Sequence, residues 1–417
     1  MTYPHFLRAL HSRNYRLFFF GQGISLVGNW MNTTATGWLA YELSNSAFVV
    51  GLVVFAGQIL LFFSPLAGVW GDRVDRRRAI ITLQVLCLLT SATLAVVTLT
   101  GHVTVGWLIG LAILRGVINA AEFPTRQSFT VELVAHKDDL GNAIALGSSL
   151  FNVARLIGPP IAGAVIVLGG AGLCFVLDAL SFLPIIGSLL LMRIPPRPHR
   201  VADARVWEEL KAGLRYARQT VALRAPLLMV PVTAMAAFTS STLAPVFARD
   251  IFHGDARTLG HILAAMGAGA LVSALYLSSR TTTVGLTRWV ARGALLNGLG
   301  QATFALSPWL ELALAAMVAT GMGAVLVMAG CNTLIQSHVA DDKRGRVMGL
   351  FTLGQAMFPV GSLLLGLLAS SIGARGALLT AALTTLVTAV VFGRHVAIES
   401  VPPLASAPDV PVDENPG

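Results

Sequence analysis

Charge is what this sequence has least of. Lys, Arg, Asp and Glu make up 12% of its 417 residues, about half the share in a soluble domain. Cysteine is scarce as well. Cys87, Cys174 and Cys331 all fall inside apolar runs, which leaves no disulfide framework and no metal-ligand spacing. A Gly-Lys-Ser/Thr phosphate loop is missing, which argues against a nucleotide-driven pump. HExxH and GxSxG are missing too, and the His residues are scattered. Metal-dependent or nucleophile-based enzyme chemistry therefore has no support, and no cofactor or metal is expected.

What fills the chain instead is apolar: 55% hydrophobic residues and a mean hydropathy of +0.73. Apolar segments of bilayer-crossing length recur at 17–41, 47–71, 79–101, 103–123, 143–169, 172–192, 226–248, 258–278, 286–308, 310–335, 347–372 and 374–393. An all-α membrane protein of twelve transmembrane helices is expected. The first run has no small-residue cleavage site and continues to full length, so it reads as a span rather than a signal peptide.

Basic residues are distributed unevenly among the loops. With the N-terminus inside, Arg115 and Arg155 lie in spans, Arg249, Arg257 and Arg375 lie outside, and the other 24 of 29 Lys and Arg are cytoplasmic. This positive-inside bias places both termini in the cytoplasm of an inner-membrane protein. The net charge of +9 thus reports topology and not nucleic-acid binding, for which no basic soluble module exists.

Residues 193–225 form a polar, basic seam between two six-span halves, 1–192 and 226–398. From Asp203 the seam becomes an amphipathic helix whose Val206, Leu210, Leu214 and Ala217 make one apolar stripe, suited to the inner membrane surface. The tail 399–417 is Pro-rich without periodicity and reads as disordered. "NAIALGSSLF" at 142–151 and "RVMGLFTLGQ" at 346–355 each follow a polar loop. Such a weak repeat across a seam suits a transporter whose halves rock about a central site.

Between the second and third runs, "GVWGDRVDRRR" packs six charges into the seven residues from Asp72 to Arg78. This stretch resembles motif A of the major facilitator superfamily, with Gly68, Asp72, Arg73, Arg76 and Arg77 matching and Asp75 replacing a glycine. "ARLIGPPIAG" at 154–163 resembles the superfamily's motif C, associated with exporters, through Gly158, Pro159 and Gly163. Arg115 stands where motif B places its arginine. The stretch from "FPTRQSF" to "GPPIAG", with the loop helix "EELKAGLRYAR", is similar to the branch holding the enterobactin exporter and macrolide-efflux proteins. The resemblance implies the two-half, twelve-helix fold. It also implies that Asp72 locks the outward-open state by accepting from backbone N–H groups at the start of span eleven. Plain topology is the other reading of those arginines. Glu122 is implied to meet Arg76 in a charge relay.

The residues themselves add further expectations. Arg115, Asn119, Glu122 and Arg126 recur at i, i+4, i+7 and i+11, on one helical stripe. An arginine at mid-membrane costs about 2.5–3.5 kcal/mol on insertion scales and usually marks function. Arg155 and Asp178 lie at similar depth and are expected to pair, with Asp178 either structural or the proton carrier. Ala154, Gly158 and Ala162 make a small-residue face for close packing. Ser25, Asn29, Asn32 and Thr36 share a face of span one, to be met by Thr233, Ser240, Asn332, Gln336 and Gln355 from the second half, with Gln58 and Trp38 adding contacts. Amides and hydroxyls with few charges suit an amphipathic, hydrogen-bonding compound, and interhelical bonding is the plainer alternative.

The expectation is a secondary active transporter, a monomer in the lipid bilayer. It exchanges protons for a siderophore-like or drug-like small molecule, outward. Two other readings stay open: a lysolipid flippase or importer of the same fold, and a non-transporting membrane sensor or partner.

Overall fold

The computed structural model describes residues 5–64, 75–134, 136–192, 206–237, 239–280, 282, 285–340 and 343–398. Among them the regular structure is entirely helical. The chain runs α1 (Arg13–Ser44), α2 (Ala47–Gln58, extended by a 3₁₀ turn, Ile59–Phe63), α3 (Arg76–Leu99), α4 (Val105–Leu133) and α5 (Leu140–Leu191). It continues through α6 (Val206–Gln219), α7 (Val221–Ala237), α8 (Ser240–Val246, followed by a π turn, Phe247–Ile251) and α9 (Ala256–Ser279). The rest is α10 (Leu286–Leu306), α11 (Leu310–His338), α12 (Arg344–Gln355) and α13 (Phe358–Ile398). Seven helical segments of the described residues are long and apolar enough to cross a membrane.

The ends of these helices follow from local chemistry. Asn45 stops α1 by taking the left-handed conformation (φ 48°, ψ 30°), its N–H bonding to Tyr41 O. Asp75, the residue that departs from the motif A pattern, has a structural use: its carboxylate accepts from Arg78 N at 2.9 Å and caps α3. Thr104 and Asp255 cap α4 and α9 in the same way.

At 52 residues α5 would be about 78 Å long if straight, more than twice a bilayer core. It is not straight. Gly170 adopts φ 76°, ψ 173° and breaks the helix, and Cys174 Sγ donates to Ala162 O at 3.6 Å. Twelve residues along a continuous helix are separated by about 18 Å, so the chain has doubled back. Gly373, at φ 78° and ψ 162°, interrupts α13 likewise.

Among the described residues three apolar cores result. One gathers Tyr15, Phe18, Ile80, Phe129 and Leu189 from the first 192 residues. A second gathers Leu223, Val290, Ile335, Phe351 and Phe392 from the last part. The third contains residues of both, among them Leu39, Phe175, Phe247, Phe304 and Leu378. The first two lie toward the end where α1 begins and α11 finishes; the shared one lies toward the other end, where α1 finishes. The two parts are therefore joined at one end of the molecule.

That junction is built on missing side chains. A Cβ on Gly163 would lie 2.5 Å from Ala256 O, and one on Gly260 would lie 2.8 Å from Pro159 O, so α5 and α9 meet backbone to backbone. Gly51 of α2 meets Ser362 O of α13 at the same 2.5 Å. Beside them the Tyr41 hydroxyl donates to the Asp250 carboxylate, and Arg249 lies over the Tyr41 ring at 5.9 Å.

The seam helix α6 docks on the second half. Gly213, Tyr216 and Ala217 face the second half: Gly213 abuts the Arg346 backbone, Tyr216 Oη accepts from Ala340 N at 3.4 Å, and Ala217 is 5% exposed. Leu214, on the stripe expected to meet the membrane surface, is 42% exposed. Lacking a Cβ, Gly213 permits the close approach to α12. The side chains of Val206 and Leu210 lie outside the described residues, as do 193–205 and the tail 399–417.

Candidate substrate cavity

A cavity of about 410 Å³ opens among α1, α2, α3, α4 and α5, within the usual range for small-molecule sites. Five expected residues line it: Ser25, Asn29, Asn32 and Thr36 from α1, and Gln58 from the end of α2. The α4 stripe, Arg115, Asn119, Glu122 and Arg126, faces it as a unit, as the helical period requires. Trp38 does not line it and packs at the edge of the shared core instead.

Two charge clusters sit in its wall. In the deeper one, Asp178 is 0% exposed, and its Oδ2 accepts from Ser91 Oγ at 2.6 Å, Asn32 Nδ2 at 2.8 Å and Arg115 Nη1 at 3.5 Å. The same Arg115 nitrogen donates to Ser91 Oγ at 2.7 Å, while Nη2 donates to Asn29 Oδ1 at 3.1 Å. The guanidinium lies 5.1 Å from the Phe182 ring centroid, and Thr36 Oγ1 donates to Asn32 Oδ1 at 3.2 Å. One network thus ties α1, α3, α4 and the second arm of α5. A buried charge left without a partner is costly, and these hydrogen bonds share out the burden.

This corrects one expected pair. Asp178 meets Arg115 and not Arg155, because Ser91 and Asn32 hold the carboxylate toward α3 and α1. The Arg155 guanidinium lies over the Trp30 ring at 5.7 Å, a cation–π distance. Trp30 also meets Phe151 edge-on at 5.7 Å.

The shallower cluster corrects a second. Glu122 Oε1 accepts from Arg126 Nη1 at 3.0 Å and Gln84 Nε2 at 3.2 Å. Arg76 pairs with Glu132 instead, because α3 begins beside the last turn of α4 and Glu122 lies almost three turns deeper. Arg77 donates from Nε to Leu189 O at 2.8 Å and from Nη2 to Leu190 O at 2.9 Å, a cation satisfying the carbonyl end of α5. Gly68, Asp72 and Arg73 lie outside the described residues.

The second-half candidates do not reach this cavity. Thr233 and Ser240 are buried between helices. Gln336 donates to Asn332 within α11, one turn apart, so the two amides satisfy each other. Gln355 is exposed at the end of α12. The motif C residues pack: Gly158 lies against Trp30 of α1, while Pro159 and Gly163 lie against α9. Sequence reasoning missed α3, whose Gln84, Cys87 and Ser91 recur at i, i+3 and i+7 and all line the cavity; that stripe was visible but carries no charge. Among the described residues, no group of His, Cys, Asp and Glu is placed to hold a metal.

The fold has solved counterparts: structures with TM-scores of 0.71 and 0.75 include an inward-facing bacterial homologue of the lysosomal transporter Spinster and a POT family transporter. These are 15% and 12% identical, each alignment covering 92–93% of this chain and 96% of the other. The transmembrane secretion effector family model matches residues 7–415, and the chain belongs to that family of the major facilitator superfamily. Similar proteins include the staphyloferrin A transporter of Staphylococcus aureus, 24% identical over 86% of this chain and 90% of its own. The multidrug efflux pump Tap of Mycobacterium tuberculosis is 27% identical over 95% and 96%, and macrolide efflux protein A of Streptococcus pyogenes is 22% identical over 86% and 91%. The chain is thus a multi-pass inner-membrane transporter, not an enzyme.

Proposed function

We propose that the protein is a proton-driven exporter of a siderophore-like or drug-like amphipathic small molecule. It works as a monomer of two six-helix halves with both termini in the cytoplasm. The observation that carries this reading is the Arg115–Asp178 network set against a cavity of small-molecule size. Intramembrane ion pairs are expensive and usually serve a pathway. With the N-terminus inside, the joined end of the molecule is the outer one, and the cavity is reached from the cytoplasm. Substrate enters there, between Asn29, Asn32 and the apolar Val53 and Leu111.

The halves then exchange which end is joined. Gly163 and Gly260 let the outer seam part and re-form without side-chain interlocking, which gives motif C its place in the cycle. Asp72 closes the inner end against the start of α12, while Arg115, Glu122 and Asp178 couple the change to proton movement. Arg155, over Trp30, senses the substrate from the other wall. The membrane potential supplies about 2.3 kcal/mol per charge per 100 mV, enough to drive accumulation. The names of the staphyloferrin A, Tap and macrolide relatives favour export of such compounds.

Inverted and right-side-out vesicles test direction and coupling. Dansylcadaverine, a fluorescent amphipathic amine, should accumulate in inverted vesicles holding an acidic lumen beyond its passive trapping in matched vesicles without the protein, and a protonophore should abolish the excess. Accumulation by right-side-out vesicles alone would make the protein an importer.

A further inference from the structure

Two amide oxygens just beneath the cavity wall, a side-chain rotation from its surface, have no hydrogen-bond partner among the described residues. Gln22 of α1 and Gln84 of α3 are 7% and 1% exposed, and the Oε1 atom of each is buried without a hydrogen-bond partner. Both residues line the cavity. Buried acceptors of this kind are rare and call for an explanation, because leaving them dry forfeits the desolvation they have undergone. The orientation of Gln84 is settled by its neighbour: Nε2 donates to Glu122 Oε1, and a reversed amide would set oxygen against carboxylate. Glu122 adds a third acceptor. Both of its bonds, from Gln84 and from Arg126, reach Oε1, and Oε2 receives none.

We infer that Gln22, Gln84 and Glu122 form a subsite for a protonated primary amine on the transported molecule. The inference rests on the cavity being the transport site. An alkylammonium offers three donors and no acceptor, matching two amide oxygens and one carboxylate oxygen. Arg126 offsets part of the Glu122 charge, so selection falls on the arrangement of acceptors as much as on net charge. An amphipathic amine would set its nitrogen here and its apolar body toward Leu26, Leu61 and Phe123. The subsite lies toward the end where α1 begins and is separate from the Arg115–Asp178 network. Substrate charge and the Arg115–Asp178 pair therefore occupy different levels of one cavity, and Glu122 belongs both to the subsite and to the proposed coupling groups.

The test compares two probes on the purified full-length protein in nanodiscs: dansylcadaverine, and the same molecule with its amine acetylated. The wild type should bind the amine at least about tenfold more tightly, equivalent to about 1.4 kcal/mol. Gln22→Leu and Gln84→Leu should each lose most of that preference while holding the acetylated probe within about twofold. Gln22→Leu removes an oxygen that bonds nothing in the protein, so it keeps the comparison sound if Gln84→Leu disturbs Glu122. Gln22→Glu should increase the preference. Equal affinity for the two probes, an unchanged preference in both Leu variants, or no saturable binding by folded protein would each overturn the subsite. Amine-selective binding without counterflow would leave the subsite standing and remove the transport reading instead.

Discussion

The two parts of this molecule bury polarity in different currencies. Residues 13–192 bury charge: Asp178 and Arg115 are bridged by Ser91, with Asn32 bonded to the carboxylate and Asn29 to the guanidinium, and Glu122 and Arg126 a little way off. Between α10 and α11 the second part buries neutral groups instead. Gln301 Nε2 donates to Asn297 Oδ1 at 2.6 Å, and Asn297 Nδ2 to Thr320 O at 2.8 Å. Gly300 and Gly323 bring α10 and α11 together there, close enough that a Cβ on Gly300 would meet Thr320 N at 2.8 Å. On the proposed function, a charge network beside a cavity responds when a proton binds or leaves, and a neutral, glycine-packed one does not. The difference then assigns the coupling to the first part and the role of a rigid lever to the second.

The largest effect should come from breaking the charged side. Arg115→Met leaves the Asp178 carboxylate buried without its cation, and losing one partner of such a pair costs about 3–5 kcal/mol. Thermal unfolding in detergent should show it as a marked fall in midpoint. Asn297→Leu, which strips neutral bonds from the second part, should cost only about 1–3 kcal/mol. Equal losses would erase the contrast between the parts.

Next comes the seam between them. Gly163→Val drives a side chain into Ala256 O, and overpacking of this kind costs about 1–3 kcal/mol. The joined end should open, and cysteine pairs across it, such as Gly37 with Pro245, where a Cβ has room, should cross-link less. Undiminished cross-linking would mean that the seam tolerates bulk. Tyr41→Phe is milder. It removes the hydroxyl bonded to Asp250, about 1 kcal/mol, and should shift the same cross-linking ratio about fivefold. The smallest change is expected at Gln355→Ala and Asn332→Ala, which lie away from the cavity: counterflow within about twofold of wild type, unless the lever also binds substrate.

Much of this was legible in the sequence because a bilayer leaves little choice. Without water, backbone groups must bond within helices, so apolar length and glycine breaks reveal the spans, and the α4 stripe faces the cavity as its spacing predicts. Partner choice was not legible. Asp178 has cations at similar depth on two helices, and only the placement of Ser91 and Asn32 decides for Arg115 over Arg155. Arg76 was assigned to Glu122 by resemblance, yet the start of α3 brings it to Glu132. The uncharged stripe of α3 was overlooked because amides and hydroxyls in a helix are as often internal glue as wall. The second-half candidates failed for a related reason, since a pair such as Asn332 and Gln336 satisfies itself one turn apart.

The claim that the charged network of the first part performs the coupling is tested most directly by Asp178→Asn in proteoliposomes. The amide keeps the volume and a hydrogen-bonding oxygen for Ser91 but has no carboxyl proton to carry. Transport of dansylcadaverine driven by an imposed pH gradient should vanish, while passive counterflow of the same probe continues at a rate near that of the wild type. Undiminished gradient-driven transport by Asp178→Asn would contradict the account.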